Sequence, residues 1–130
     1  MDRAKKVELV ETYINGLGNK RDFTGVPFAP DVKFESSMTP KLYGVAAVTS
    51  FFSSQFPAFK GCTIKQHIVE DEYVASLFDL ETIFGVIPVF DWFRLDLEKG
   101  QIKEIRPYLD PRPITEALAK SQSQKSSSTA

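Results

Sequence analysis

The chain has 130 residues, which suits one domain and leaves little room for a second. Apolar residues make up 42% and charged residues 25%, the balance of an ordinary globular protein, and sixteen basic against seventeen acidic side chains leave a net charge of −1. That balance argues against nucleic acid as a partner, because a phosphate backbone selects for a basic footprint. Cys62 and His67 are each the only residue of their type, so no intrachain disulfide can form and a tetrahedral zinc shell has too few donors. The expectations are a reducing, cytoplasmic setting and neither metal nor cofactor. Glu8, Glu11 and Thr12 interrupt the segment after the charged N-terminus, so no signal peptide is read there. No stretch approaches the roughly twenty apolar residues of a membrane span, so no membrane partner is expected.

In chain order, Val7, Val10, Ile14 and Leu17 recur at helical spacing with Tyr13 beside the stripe, and Gly16, Gly18 and Asn19 are read as its stop. The segment from Asp22 to Pro30 holds two prolines and a glycine and allows a helical turn at most. Asp31 to Ser36 alternates, with Val32, Phe34 and Ser36 on one face, and Pro40 to Tyr43 adds a short strand. Gly44 opens a second helix, which keeps a 3.6-residue period through Val45, Val48, Phe52 and Phe56 until Pro57. Thr63–Val69, Tyr73–Phe84, Val86–Leu97 and Ile102–Leu109 then read as four long strands in an antiparallel meander, with turns at Glu70-Asp71-Glu72, at Gly85 and at Lys99-Gly100. A short helix fits residues 114–120. The expected domain is residues 1–120, and the Ser/Gln-rich stretch 121–130 has nothing to bury and is expected to be disordered. The predicted class is α+β: a curved antiparallel sheet wrapped around helices, a cone-shaped barrel with one apolar pocket. Eleven phenylalanines, more than so small a core usually needs, point to an aromatic-lined cavity.

This order, with Val7–Gly18, Asp31–Glu35, Gly44–Pro57 and the run from Phe93-Arg94-Leu95-Asp96 to Arg106-Pro107-Tyr108-Leu109-Asp110-Pro111, resembles the nuclear transport factor 2-like superfamily and its SnoaL-like branch. The resemblance covers nearly the whole chain except the tail. It implies a fold that hosts isomerases, dehydratases, cyclases and epoxide hydrolases as well as plain binding modules. By resemblance to steroid-isomerase-like members, Tyr13 and Asp91 stand where two groups donate hydrogen bonds to an enolate oxygen, while Ser36 stands at the place of the catalytic base. Phe78, Leu80 and Pro107 occupy the positions of the charged residues of limonene-epoxide-hydrolase-like members, and Pro107 that of the last-strand Asp of SnoaL-type cyclases. His67 resembles a pocket histidine of scytalone-dehydratase-like members.

Alternation along Val86–Leu97 puts Val89, Asp91, Phe93 and Leu95 on one face and Phe90, Trp92, Arg94 and Asp96 on the other. Asp91 is then either a solvent-facing residue near a strand end or a buried carboxyl whose pKa desolvation raises. A neutral Asp91 donates a hydrogen bond; an ionised one would instead hold and charge His67. His67 is either a general acid or base or a surface strand histidine, and Tyr13 is either a pocket donor or a core tyrosine. Two functions follow. One is a small cofactor-independent isomerase or lyase, acting by isomerisation, dehydration or cyclisation on a hydrophobic, oxygen-bearing small molecule, with His67, Asp91 and Tyr13 converging on one cavity. The other is a non-catalytic small-molecule-binding or dimerisation module. Phe34, Ser36, Phe52, Phe78, Leu80, Phe93 and Pro107 are the expected pocket walls. Phe90, Trp92 and Arg94, on the convex face, are expected to form a homodimer interface.

Overall fold

The computed structural model describes residues 1–128, with side chains up to residue 121. Helix α1 (Arg3–Asn15) begins where the Asp2 carboxylate accepts the Lys5 backbone N–H at 2.9 Å. Its buried side chains are Leu9, Val10, Tyr13 and Ile14, so Tyr13 lies within the apolar stripe rather than beside it. The chain does not stop at the glycines. It runs on through one wide π turn, Gly16–Lys20, and reverses at Arg21 with φ +55°. The glycines serve close approach: a Cβ on Gly18 would sit 2.6 Å from the Cys62 Cβ, and one on Gly16 2.9 Å from the Asp22 carbonyl oxygen.

Strands β1 (Phe28–Ser36) and β2 (Thr39–Tyr43) form a hairpin, followed by α2 (Val45–Gln55) and a 3₁₀ turn over Phe56–Ala58. Strands β3 (Phe59–Glu70), β4 (Tyr73–Thr82), β5 (Gly85–Asp96) and β6 (Gln101–Leu109) make the expected meander. Helix α3 (Arg112–Ser128) extends past the short helix expected at 114–120 and runs, as backbone, into the segment expected to lack order; residues 129–130 lie outside the described residues.

The six strands lie in the order β2-β1-β6-β5-β4-β3. The α+β class holds, with two corrections to the expected antiparallel barrel. The sheet is mixed, because β1 runs parallel to β6. It is also open, because the edge strands β2 and β3 do not pair. The parallel pair follows from connectivity: β1 and β6 are separated by the whole meander, and no hairpin constrains their directions. Register shifts within β3 and between Arg94 and Leu95 are the irregularities by which long strands bend into a curved sheet.

The concave face carries Val74, Phe78 and Leu80 from β4 and Ile87, Val89, Phe93 and Leu95 from β5, all buried against α1 and α2. Tyr13 stacks on Phe23 at 5.3 Å and meets Phe93 edge-on at 5.6 Å, and Phe23 meets Phe52 at 5.4 Å. Each such pair adds about 0.5–1.5 kcal/mol beyond its buried area. On the convex face Trp92 stacks on Tyr73 at 5.4 Å, and the buried Glu104 pairs with Arg106 at 2.6 Å and Arg94 at 3.4 Å. No helix among the described residues is long and apolar enough to cross a membrane.

Because Gly18 packs directly on β3, Gly18→Ala should lower stability by roughly 1–3 kcal/mol, the usual cost of overpacking. Chemical denaturation of both chains checks this, and an unchanged midpoint would mean the π turn yields freely.

Candidate functional site

A cavity of about 310 Å³ lies between the concave sheet and the helices. Its wall is mostly apolar and includes Leu17, Phe34, Phe51, Phe52, Phe59, Leu80, Phe84, Ile87, Val89, Pro107, Leu109 and Ile114. The polar contributions are Tyr13, Ser36, Thr39, Gln55, Thr82 and Asp91.

Strand alternation turns Asp91 inward, between Val89 and Phe93, and its residue is 1% exposed, which removes the solvent-facing alternative. Its cross-strand neighbours are Ser76 on β4 and Pro107 on β6, and Oδ1 is buried with no hydrogen-bond partner. Nothing nearby offsets the lost hydration of a carboxylate, so burial pushes the Asp91 pKa up to about 8. The group is therefore predominantly neutral at pH 7 and presents an O–H. Tyr13, also 1% exposed, lines the same cavity. Burial, and then the charge Asp91 would carry if ionised, hold its phenol pKa well above the ordinary value, so it too remains a donor.

His67 is placed differently from the expectation. It does not line the cavity, so Tyr13, His67 and Asp91 do not converge there. Its Nδ1 lies 2.7 Å from Ser76 Oγ and its Nε2 2.9 Å from Glu11 Oε1, so it is also not a free surface histidine. The reason is lateral spacing: His67 stands on β3, two strands from Asp91, with Ser76 between them. Among the expected walls, Phe34, Ser36, Phe52, Leu80 and Pro107 line the cavity, whereas Phe78 and Phe93 are fully buried in the core beside it. Ser36 is partly engaged already, its Oγ accepting the Met38 N–H at 3.2 Å.

Sequence reasoning missed the buried Ser76 and the cavity-lining Thr39, Gln55 and Thr82. Ser76 is fully buried, and its signal was available: it shares a strand face with Val74, Phe78 and Leu80. Thr39 lines the cavity with its Oγ1 buried and without a partner, and the hairpin that places it has no comparable signature. Among the described residues no group of three or more His, Cys, Asp or Glu side chains is gathered as a metal shell would require.

A family profile described as a domain of unknown function (DUF4904) matches residues 1–124. No curated protein matches the chain. Solved structures share its fold at low identity. A nuclear transport factor 2-like protein of unknown function from Cytophaga hutchinsonii is 20% identical with a TM-score of 0.71, covering 85% of this chain and 94% of that one. A candidate SnoaL-like polyketide cyclase from Jannaschia is 18% identical with a TM-score of 0.73, covering 88% and 94%. A steroid delta-isomerase from Pseudomonas aeruginosa is 20% identical with a TM-score of 0.69, covering 98% and 95%. The superfamily resemblance read from the sequence is thus borne out as a shared fold.

The raised pKa of Asp91 has a consequence for stability. Between the unfolded value near 3.8 and the folded value of about 8, the folded chain holds a proton that the unfolded chain has released. Stability attributable to this group is therefore greatest in acid and falls as pH rises through that window, by on the order of 5 kcal/mol in all. Asp91→Asn should remove this slope and make the chain more stable than the parent above pH 8. Denaturant midpoints across that window test it; parallel pH profiles for the two chains would refute the burial of a titrating carboxyl.

Proposed function

The chain belongs to the DUF4904 family, a domain of unknown function, and we propose that it is a small cofactor-independent enzyme that moves protons on a hydrophobic, oxygen-bearing small molecule. The observation that carries this reading is one fully buried carboxyl with an unpartnered oxygen, set with Tyr13 in the wall of an apolar cavity, where burial pushes its pKa up to about 8. Keeping a carboxyl there costs stability, and such groups concentrate at functional sites. Asp91 acts as acid and hydrogen-bond donor, and Tyr13 donates to an oxygen on which negative charge develops. The steroid delta-isomerase from P. aeruginosa and the candidate cyclase from Jannaschia share the fold, which supports a reading within isomerisation, dehydration or cyclisation.

Dehydration suits a site with one proton-exchanging carboxyl. Asp91 gives its proton to a leaving hydroxyl, the C–O bond breaks and water departs. The Asp91 carboxylate then takes the neighbouring C–H proton as the C=C bond forms, which restores the neutral acid. The unpartnered Thr39 hydroxyl adds a constraint on the substrate. β2 and β5 are three strand spacings apart in the sheet, about 14 Å at ~4.8 Å per strand. A molecule with an oxygen function at each end of an apolar body satisfies both orphaned groups, and about 310 Å³ sits at the small end of ordinary ligand pockets, roughly 300–1000 Å³.

A second reading, a non-catalytic binding module, is favoured by one observation: among the described cavity-lining residues Asp91 is the only carboxylate and no imidazole is present. The lone, half-buried Cys62 fits a reducing cytoplasmic setting. The exposed Phe90, Tyr108 and Val86 on the convex side fit a homodimer interface.

With a substrate found by screening hydrophobic hydroxy-ketones, Asp91→Asn should lower kcat by about 10²–10⁴-fold and Tyr13→Phe by about 10²-fold, with the circular dichroism of the fold retained. Turnover unchanged in both variants rules out the catalytic reading; saturable binding without turnover selects the second. For the interface, light scattering should give twice the 14.6 kDa chain mass, reverting to one chain in a Phe90→Glu, Tyr108→Glu variant. A monomeric parent chain would dismiss the dimer.

A further inference from the structure

One row of polar and titratable side chains crosses the concave face. Asp91 on β5 is directly opposite Ser76 on β4, and Ser76 is directly opposite His67 on β3. Directly opposed residues point to the same side with Cβ atoms about 4.5–5.5 Å apart. From His67 the row continues to Glu11 on α1, whose side chain is 40% exposed where it borders a shallow groove with Glu8, Thr12 and Asn15. The row therefore starts in the cavity wall and ends in solvent.

Hydrogen-bond direction along the row depends on the His67 tautomer, and the relay uses the one in which Nε2 carries the hydrogen. An ionised Glu11 only accepts, so His67 Nε2 carries the hydrogen and donates it at 2.9 Å. In the neutral ring Nδ1 is then the acceptor, and the Ser76 hydroxyl donates to it at 2.7 Å. With its hydrogen spent on His67, the Ser76 oxygen has only lone pairs to offer toward Asp91. The one partner that suits them is a protonated carboxyl, and Asp91 Oδ1 has no partner of its own. The two residues are direct cross-strand partners, so their side chains project side by side from the same face.

We propose that Ser76, His67 and Glu11 form a proton relay connecting the Asp91 carboxyl inside the cavity with solvent in the groove along α1. The proposal rests on the reading of Asp91 as the proton-exchanging group. In one passage the Asp91 O–H bond breaks and its proton goes to Ser76 Oγ, while the Ser76 hydroxyl proton passes to His67 Nδ1. The resulting imidazolium passes its Nε2 proton to the Glu11 carboxylate, which releases it to groove water, and the ring is left as its Nδ1–H tautomer until the reverse passage. The net change is one proton moved from Asp91 to solvent, and the reverse passage reloads the acid without opening the cavity. His67 and Ser76 are thus positioning and relay residues that do not touch substrate. The charged and titratable groups around the row are Glu8 and Glu11 on α1, Tyr13 and Asp91 at the cavity end, and Arg3, whose guanidinium donates to the His67 carbonyl at 3.4 Å.

The test follows the Asp91 carboxyl by ¹³C NMR and the His67 ring nitrogens by ¹⁵N NMR in the full chain, from about pH 5 to about pH 10. Nδ1 of His67 should show an inflection at the Asp91 midpoint. That inflection should vanish in Asp91→Asn. It should also vanish in Ser76→Ala, although Asp91 still titrates there, and persist in Ser76→Thr, which keeps the hydroxyl. A parent chain in which Nδ1 never senses Asp91 overturns the relay. So does an inflection that survives Ser76→Ala, because the coupling then runs through space. If the alanine variant does not fold, the threonine variant decides: loss of the inflection there counts against the proposal. The readout needs no substrate, so loss of turnover in Asp91→Asn with no coupling would remove the relay and leave the catalytic reading standing.

Discussion

Burial of one carboxyl on the concave face of β5 is the constraint around which the rest of this molecule is organised. A carboxylate transferred from water into an apolar interior loses hydration that only close donors or cations can replace, and Asp91 has neither. Neutralisation is the way the fold accommodates it, and neutralisation turns an acceptor into a donor. The aromatic packing of Tyr13 against Phe23 and Phe93 keeps a second donor in the same dry space. An apolar wall thus determines the protonation state of the groups set into it.

The two faces of the sheet treat charge in opposite ways. On the convex side, Glu104 is buried but flanked by Arg94 and Arg106, so its ionised form is matched by cations. On the concave side, Asp91 is equally buried and unmatched. Both residues occupy strand positions among apolar neighbours, and their chemistry diverges because β5 and β6 align Arg94 with Glu104 on one face and Asp91 with Pro107 on the other. Arg94 across the strand pair and Arg106 two residues along β6 are the partners that Glu104 has and Asp91 lacks.

The aromatic residues divide by position. Phe23 and Phe28 lie in a packed cluster, Phe34, Phe51, Phe59 and Phe84 reach the cavity wall, and Tyr13 and Phe52 do both. Close packing requires that large side chains meet with few voids. The cavity persists because helices and curved sheet hold their aromatic surfaces apart. The close seat of the π turn on β3, allowed by Gly16 and Gly18, brings the end of α1 down at one side of that space.

Periodicity alone was enough to place α1, α2 and the meander, because 3.6-residue and two-residue repeats are local properties of the chain. The same alternation put Asp91 inward among Val89 and Phe93. Family resemblance pairs it with Tyr13. What escaped was everything set by partners distant in sequence. The parallel pairing of β1 with β6 joins segments on either side of the meander. Of the glycines read as a helix stop, Gly18 serves a contact with Cys62, more than forty residues away. His67 was assigned to the pocket, yet β4 lies between it and Asp91. Ser76 looked unremarkable until register set it between an imidazole and an acid. Local pattern determines which way a side chain points; only the tertiary fold decides what it meets there.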